Sequence, residues 1–176
     1  MGRTAFLELN PNLKIYYLSR FVKITITDKL KYICKNYEEL SKDELYRILA
    51  ARQEVFVVEQ DIAYVDSDFK DQCSVHCWVE DEGGSVLAYL RIVEPGKKYK
   101  EAAIGRVLTM QAARGKGIGK ELMKFGVLKS EERFRSLAVR ISAQYYLEKF
   151  YQNLGFNSVS EPYIEEGIKH IEMLKD

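Results

Sequence analysis

The chain has 176 residues, 47% of them hydrophobic, and its 27 lysines and arginines nearly balance 26 aspartates and glutamates, for a formal net charge of +1. That is enough apolar material for one core, and too even a charge distribution for a broad nucleic-acid footprint. No apolar run approaches the ~20 residues of a membrane span and no signal-peptide pattern opens the chain, so a soluble, cytoplasmic protein with neither nucleic acid nor membrane as partner is expected.

Residues 1–30 stand apart from the rest of the chain: they are poor in acids, contain an Asn-Pro-Asn turn and include the β-rich stretch FVKITIT. They form an N-terminal extension, either a basic targeting remnant or an added strand or tail, ahead of a single domain over residues 31–176. From Lys31 the pattern becomes regular. KYICKNYEEL reads as a strand, and Ser41 with Glu44 makes a capping box for a helix running to about Gln60, with Leu45, Ile48, Leu49 and Phe56 on one face. DIAYVDSDFKDQ, with four aspartates and no period, is a loop. SVHCWVE and SVLAYLRIVE form a hairpin around DEGG, and AAIGRVLTM is a further strand. A helix after the glycines (Ile118, Leu122, Phe125) is followed by the strand SLAVRISA. A last helix (Leu147, Phe150, Tyr151, Leu154) stops at Gly155, before the strands FNSVS and IKHIEMLK. Cys34, Cys73 and Cys77 cannot all pair within one chain and are read as reduced thiols.

The segment ARGKGIGKELM, residues 113–123, places three glycines and three cations at the start of an apolar helix, where each helical glycine costs roughly 1 kcal/mol. A Walker loop does not fit: only three residues separate Gly115 from Gly119, and Lys120 is followed by Glu121 rather than a hydroxyl residue. A dinucleotide fingerprint does not fit either, because the glycines fall at Gly115, Gly117 and Gly119 and the preceding strand closes a meander. Arg-x-x-Gly-x-Gly does fit, through Arg114, Gly117 and Gly119. Helix-start amides, a favourable dipole and absent Cβ atoms suit a bound pyrophosphate, although a plain glycine-rich turn would carry the same residues.

That motif resembles the acyl-CoA-binding loop of the GNAT superfamily of N-acetyltransferases. FYQNLGF is similar to the superfamily's second signature, and Gln144 stands where many relatives carry an asparagine that holds the pantetheine arm. ELYRILAARQEVFVVEQ, YVDSDFKDQ, IGRV, RGKGIGKELM, SAQ, FYQNLGF and EEGIKHIEM together resemble the ElaA-type subfamily, over roughly Tyr32 to Met173.

The resemblance implies an α/β fold with a mixed, mainly antiparallel central sheet, helices on both faces, and a splayed V between the two strands that hold the cofactor. It implies acetyl-CoA as co-substrate and no metal. The donor would lie on Arg114, Gly115, Lys116, Gly117, Ile118, Gly119 and Lys120, with its arm along Leu108 and Thr109 and beside Gln144. A free backbone N–H there can stabilise the thioester oxygen, a donor worth ~3 kcal/mol. The amine of a small molecule or peptide would attack directly, through a tetrahedral intermediate. Tyr151 matches the general acid that protonates the departing thiolate; by periodicity alone it is a core aromatic. For the base, His76 and Glu59 are both candidates: the first by its ordinary pKa, the second if burial raises its pKa. Their plainer readings are a packed strand histidine and a solvated acid. Asp61, Asp66, Asp68 and Asp71 would either rim the acceptor side with negative charge or satisfy their own loop. Arg91, Arg106, Glu165 and His170 would line the acceptor pocket or brace strands. Two rivals remain: a zinc module on Cys73, His76 and Cys77, whose spacing fits poorly, and an acyl-CoA-binding regulator without turnover. A homodimer is compatible with either acyl-CoA reading.

Overall fold

The computed structural model describes residues 13–19 and 22–27 as strands and residues 29–135 and 138–176 in full. Residues 1–12, and with them part of the expected N-terminal extension, lie outside the described residues. The described strands of that extension, β1 (Leu13–Ser19) and β2 (Val22–Thr27), pair as an antiparallel hairpin.

The main sheet begins with β3 (Lys31–Asn36) at its edge. Helix α1 (Lys42–Arg52) comes next, capped as expected by Ser41, whose Oγ accepts from the Glu44 amide while the Glu44 carboxylate accepts from the Ser41 amide. The helix differs from expectation beyond Arg52: residues Gln53–Glu59 continue as a π-helical segment, and the buried stripe is Ile48, Ala51, Arg52 and Val55, flanked by half-buried Leu45, Leu49 and Phe56. A charged residue thus stands in the middle of the core-facing stripe. The sheet continues with β4 (Ser74–Glu80), β5 (Val86–Val93) and β6 (Ala102–Thr109). Helix α2 (Ile118–Phe134) leads to β7 (Val139–Gln144), and α3 (Glu148–Gln152) to β8 (Asn157–Ser158), β9 (Tyr163–Glu165) and β10 (Ile168–Lys175). The three-residue β9 is absent from the sequence expectations; a turn at Glu166–Gly167, both at positive φ, folds it back on β10.

The strand order is β3-β4-β5-β6-β7-β10-β8, with β9 also on β10, and every pair is antiparallel except β6 with β7. This is the mixed, mainly antiparallel sheet expected. Every residue of β4 is buried because both faces are covered: Val75, Cys77 and Val79 lie in the larger core with Leu122, Met123 and Phe125 of α2, whereas Trp78 lies in a second core with Ile48 of α1 and Tyr89. Helix α2 buries Ile118, Leu122, Met123, Phe125 and Leu128, each worth ~1.5–3 kcal/mol. That outweighs the ~1 kcal/mol cost of each of its glycines, so the helix forms in spite of them. Strand β2 runs beside α2.

Candidate functional site

Strands β6 and β7 pair only at Ala102↔Val139 and Ala103↔Arg140. Beyond those two pairs each keeps its other neighbour, β5 for β6 and β10 for β7, so the sheet opens from Ile104 and Ile141 onward. Part of the divergence has a local cause. Between Tyr89↔Leu108 and Arg91↔Gly105 strand β6 carries one extra residue, a bulge that sets Arg106 at φ +53°. Bulges of this kind bend and twist the strand that carries them.

The open ends of the V point at the start of α2. After Thr109 a 3-10 turn (Gln111–Ala113) delivers the chain to Arg114, and Gly115 and Gly117 adopt φ +74° and +76°. Gly117 is the N-cap and provides no side-chain acceptor, so the first amides of α2 project from the helix end without a protein cap. A Cβ on Gly115 or Gly117 would meet no atom within 4 Å, so the surface there is bare backbone. Gly119 has a different reason to be glycine: a Cβ would stand 2.7 Å from Thr109 Oγ1, so it lets α2 close on the end of β6. Arg114 donates to the Thr109 carbonyl at 3.0 Å and pairs with Glu59 at 2.6 Å. Lys116 donates to the Ala112 carbonyl, and Lys120 lies exposed on the first turn. Across the opening, the Gln144 amide donates to the Gln60 side chain at 3.2 Å, joining the end of β7 to the end of the π-helical segment. Ile118 is buried in the core, and its amide belongs to the uncapped end.

Tyr151 projects from α3 into the larger core, edge-on to Phe150 and Phe156 at 5.0 and 6.0 Å between centroids. Burial raises its pKa well above the ordinary tyrosine value, so the phenol stays protonated.

With this geometry in view the comparisons are specific. The Acetyltransferase (GNAT) domain profile matches residues 36–176. The chain belongs to the GNAT acetyltransferase family. Within it the protein is of the ElaA type: it is 36% identical to Protein ElaA of Escherichia coli over 145 residues, covering 80% of this chain and 93% of that one. The crystal structure of Escherichia coli ElaA superimposes with a TM-score of 0.78, covering 84% of this chain and 99% of that one at 33% identity. An acyl-CoA N-acyltransferase from Pseudomonas aeruginosa superimposes with a TM-score of 0.80 at 38% identity, covering 84% and 99%.

On this GNAT frame several expectations are corrected. His76 is fully buried with both ring nitrogens engaged: Nε2 lies 3.1 Å from the Asp71 carbonyl and Nδ1 2.8 Å from the Tyr89 hydroxyl. A carbonyl only accepts, so Nε2 carries the hydrogen and Nδ1 accepts from Tyr89, leaving no lone pair for a substrate proton. Burial also lowers the His76 pKa. Glu59 fails the condition attached to it. It is exposed, and the hydrogen bond from Arg114 holds its pKa below the usual glutamate range, the opposite of a carboxylate made basic by burial. The zinc reading loses its geometry because Cys77 and His76 face opposite sides of β4. Among the described residues no three His, Cys, Asp or Glu side chains gather to hold a metal.

The aspartate loop is no negative rim: its own Tyr64 hydroxyl and Lys70 amide donate to Asp66 and Asp68, and arginines from outside the loop supply the remaining partners. Arg52, with no exposed surface, reaches Asp66 at 2.7 Å and Asp71 at 2.8 Å. Arg91 forks onto both oxygens of Asp68 at 2.6 and 2.7 Å and also meets Asp71 at 2.8 Å, and Arg106 at the bulge pairs with Asp66 at 2.6 Å. Burial pushes Asp68 and Asp71 up, but the arginines outweigh it and hold both below the usual carboxylate range. Three of the four aspartates are thereby neutralised and only Asp61 stays exposed. Arg91 and Arg106 therefore brace.

A cluster on β7, β9 and β10 adds Ser142 and Tyr163 to Glu165 and His170, which the sequence leaves as acceptor lining or strand braces. Ser142 alternates with buried Ile141 and Ala143 and so faces the α1 side, level with Gly105 where the strands have parted. Its Oγ lies 2.7 Å from the Tyr163 hydroxyl and donates to Glu165 at 3.0 Å. His170, stacked on Tyr163, bonds the Ile168 carbonyl through Nδ1.

Proposed function

We propose that this chain is a cytoplasmic acetyl-CoA-dependent N-acetyltransferase acting on a primary amine of a small molecule or peptide, with residues 31–176 as its domain and residues 1–30 as an extension. The observation that carries the reading is the opening of β6 from β7 onto a glycine-capped, otherwise uncapped end of α2.

The coenzyme's pyrophosphate would take the amides of Ile118, Gly119 and Lys120 over the bare backbone of Gly115 and Gly117, with Arg114, Lys116 and Lys120 adding positive charge. Its pantetheine arm would run along the edge that β6 leaves free near Leu108 and Thr109, beside Gln144. The acceptor would enter from the α1 side, where the Glu165 carboxylate and Ser142 hydroxyl suit an ammonium. With His76 and Glu59 set aside, the ammonium gives a proton to Glu165 through Ser142. The amine attacks the thioester carbon, a backbone N–H in the V bonds the resulting oxyanion, the C–S bond breaks as Tyr151 protonates the leaving thiolate, and the proton that the new amide nitrogen sheds restores the Tyr151 phenol.

Isothermal titration tests the first step. Acetyl-CoA is expected to bind below millimolar concentration while NADH and ATP do not, and Gly117→Asp abolishes binding by placing a carboxylate at the helix end; no acetyl-CoA binding by the wild type would overturn the reading. Tyr151→Phe separates the enzyme from an acyl-CoA-binding regulator, because only an enzyme has a rate to lose while its acetyl-CoA affinity is retained. Glu165→Gln is expected to slow transfer by about 10²–10⁴-fold, the usual contribution of a general base, with unchanged acetyl-CoA affinity.

A further inference from the structure

Cys34 on β3 and Cys77 on β4 are direct partners across the antiparallel ladder, both on the face that packs under α2. Direct partners in such a pair hold their Cα atoms ~4.5–5.5 Å apart, inside the ~4.4–6.8 Å that a disulfide spans. The two thiols are unequal. Cys34 is half-buried and lines a cavity of about 210 Å³ with Lys35, Val75, Lys129 and Arg133, whereas Cys77 is fully buried. The Cys77 thiol bears on the Cys34 sulfur and, with Lys129, favours its ionised form against burial and the Glu39 and Glu132 carboxylates of the same cavity, while burial keeps Cys77 protonated. Because β3 is the edge of the main sheet, it can close on β4 without disturbing a strand beyond it.

We propose that Cys34 and Cys77 form a thiol–disulfide exchange site that reacts with a small-molecule disulfide admitted through the cavity. The Cys34 thiolate attacks one sulfur of the incoming disulfide, whose S–S bond breaks, and the released half leaves as a thiolate and takes up a proton. The mixed disulfide now stands beside the Cys77 sulfur, where proximity substitutes for intrinsic reactivity. Cys77 attacks the Cys34 sulfur, the Cys34–Cys77 bond forms, and the second half departs with the Cys77 proton. Two protein thiols are oxidised and one external disulfide is reduced to two thiols.

The test is incubation of the folded full-length chain with oxidised glutathione, then a thiol count and intact mass. Free thiols are expected to fall from three to one, and the mass to fall by about 2 Da, reversibly with dithiothreitol. Cys73→Ser should still lose two thiols and Cys34→Ser should form no internal disulfide. An unchanged thiol count in the wild type, a stable glutathione adduct on Cys34 with Cys77 still free, or a disulfide that persists in Cys34→Ser would each overturn the proposal.

Discussion

Glu59 and Arg114 lie 55 positions apart in sequence and meet beside the uncapped helix end, which explains why their pairing was not legible from local text. A glutamate closing a helix looks like any solvated acid until its partner is known. The pair is exposed, so it contributes little to stability. Glu59→Gln should therefore leave kcat within a few-fold of wild type, where loss of a general base would cost about 10²–10⁴-fold; steady-state rates with a confirmed amine decide it. His76 was equally opaque, because the groups that occupy its nitrogens come from the loop before it and the strand after it. The arginines left a clearer trace. Arg91 stands between Leu90 and Ile92 in a strand, and Arg52 falls in the stripe from Ile48 to Val55. A cation in a core-facing position requires a buried carboxylate, and the segment DSDFKD is rich enough to supply several. Replacing Arg91 by Met should destabilise the fold by about 3–5 kcal/mol, read in urea unfolding, because Asp68 and Asp71 lose a buried partner.

At the scale of elements, most of the sequence text was readable. The capping box placed α1, apolar spacing placed α2, and alternating or continuous apolar runs placed the strands of the meander. What could not be read were departures from a period: the π-helical continuation of α1, which moves the buried stripe, and β9, whose three residues are too few to show alternation. Helix α2 also shows why glycine has to be judged in place. Gly126 lies in mid-helix, where alanine is ordinarily better by ~1 kcal/mol, yet a Cβ there would stand 2.7 Å from Leu90 Cδ2 and 3.0 Å from Cδ1. Both neighbours belong to a fully buried side chain in a packed layer, so overpacking at ~1–3 kcal/mol prevails. Gly126→Ala should lower the melting temperature, and the same substitution should cost less in a Leu90→Ala background, although Leu90→Ala is itself destabilising; additivity of the two would refute the contact.

For the molecule as a whole, acid should unfold it in two stages. His76 has a folded pKa below its unfolded value near 6.5, so the unfolded chain takes up its proton first and stability begins to fall below about pH 6.5. Asp68 and Asp71 are also depressed by their arginines, so their contribution is complete above the unfolded carboxylate value near 3.9 and is lost as the pH drops further. Urea midpoints at pH 8, 6, 5 and 3.5 should show both stages, and His76→Gln should flatten only the first. At this scale the sheet and its V came from resemblance carried by quoted motifs rather than from periodicity. The parting of two parallel strands leaves no mark in hydropathy, since β7 keeps the same alternation of buried Val139, Ile141 and Ala143 on both sides of the point where it leaves β6.

The parallel seam between β6 and β7 is two residue pairs long. In mechanical terms the sheet is two leaves bound by a short spine, and whatever occupies the gap is a crossbar as well as a reactant. On the proposed function, turnover and rigidity would be tied together: arrival of the donor would brace the leaves, and departure of the product would let them work against the spine. Acetyl-CoA at a hundred times its Kd would add ~2.7 kcal/mol to unfolding. The amides expected to gain the most protection from hydrogen exchange are those on the two facing edges, Ile104 to Thr109 and Ile141 to Gln144.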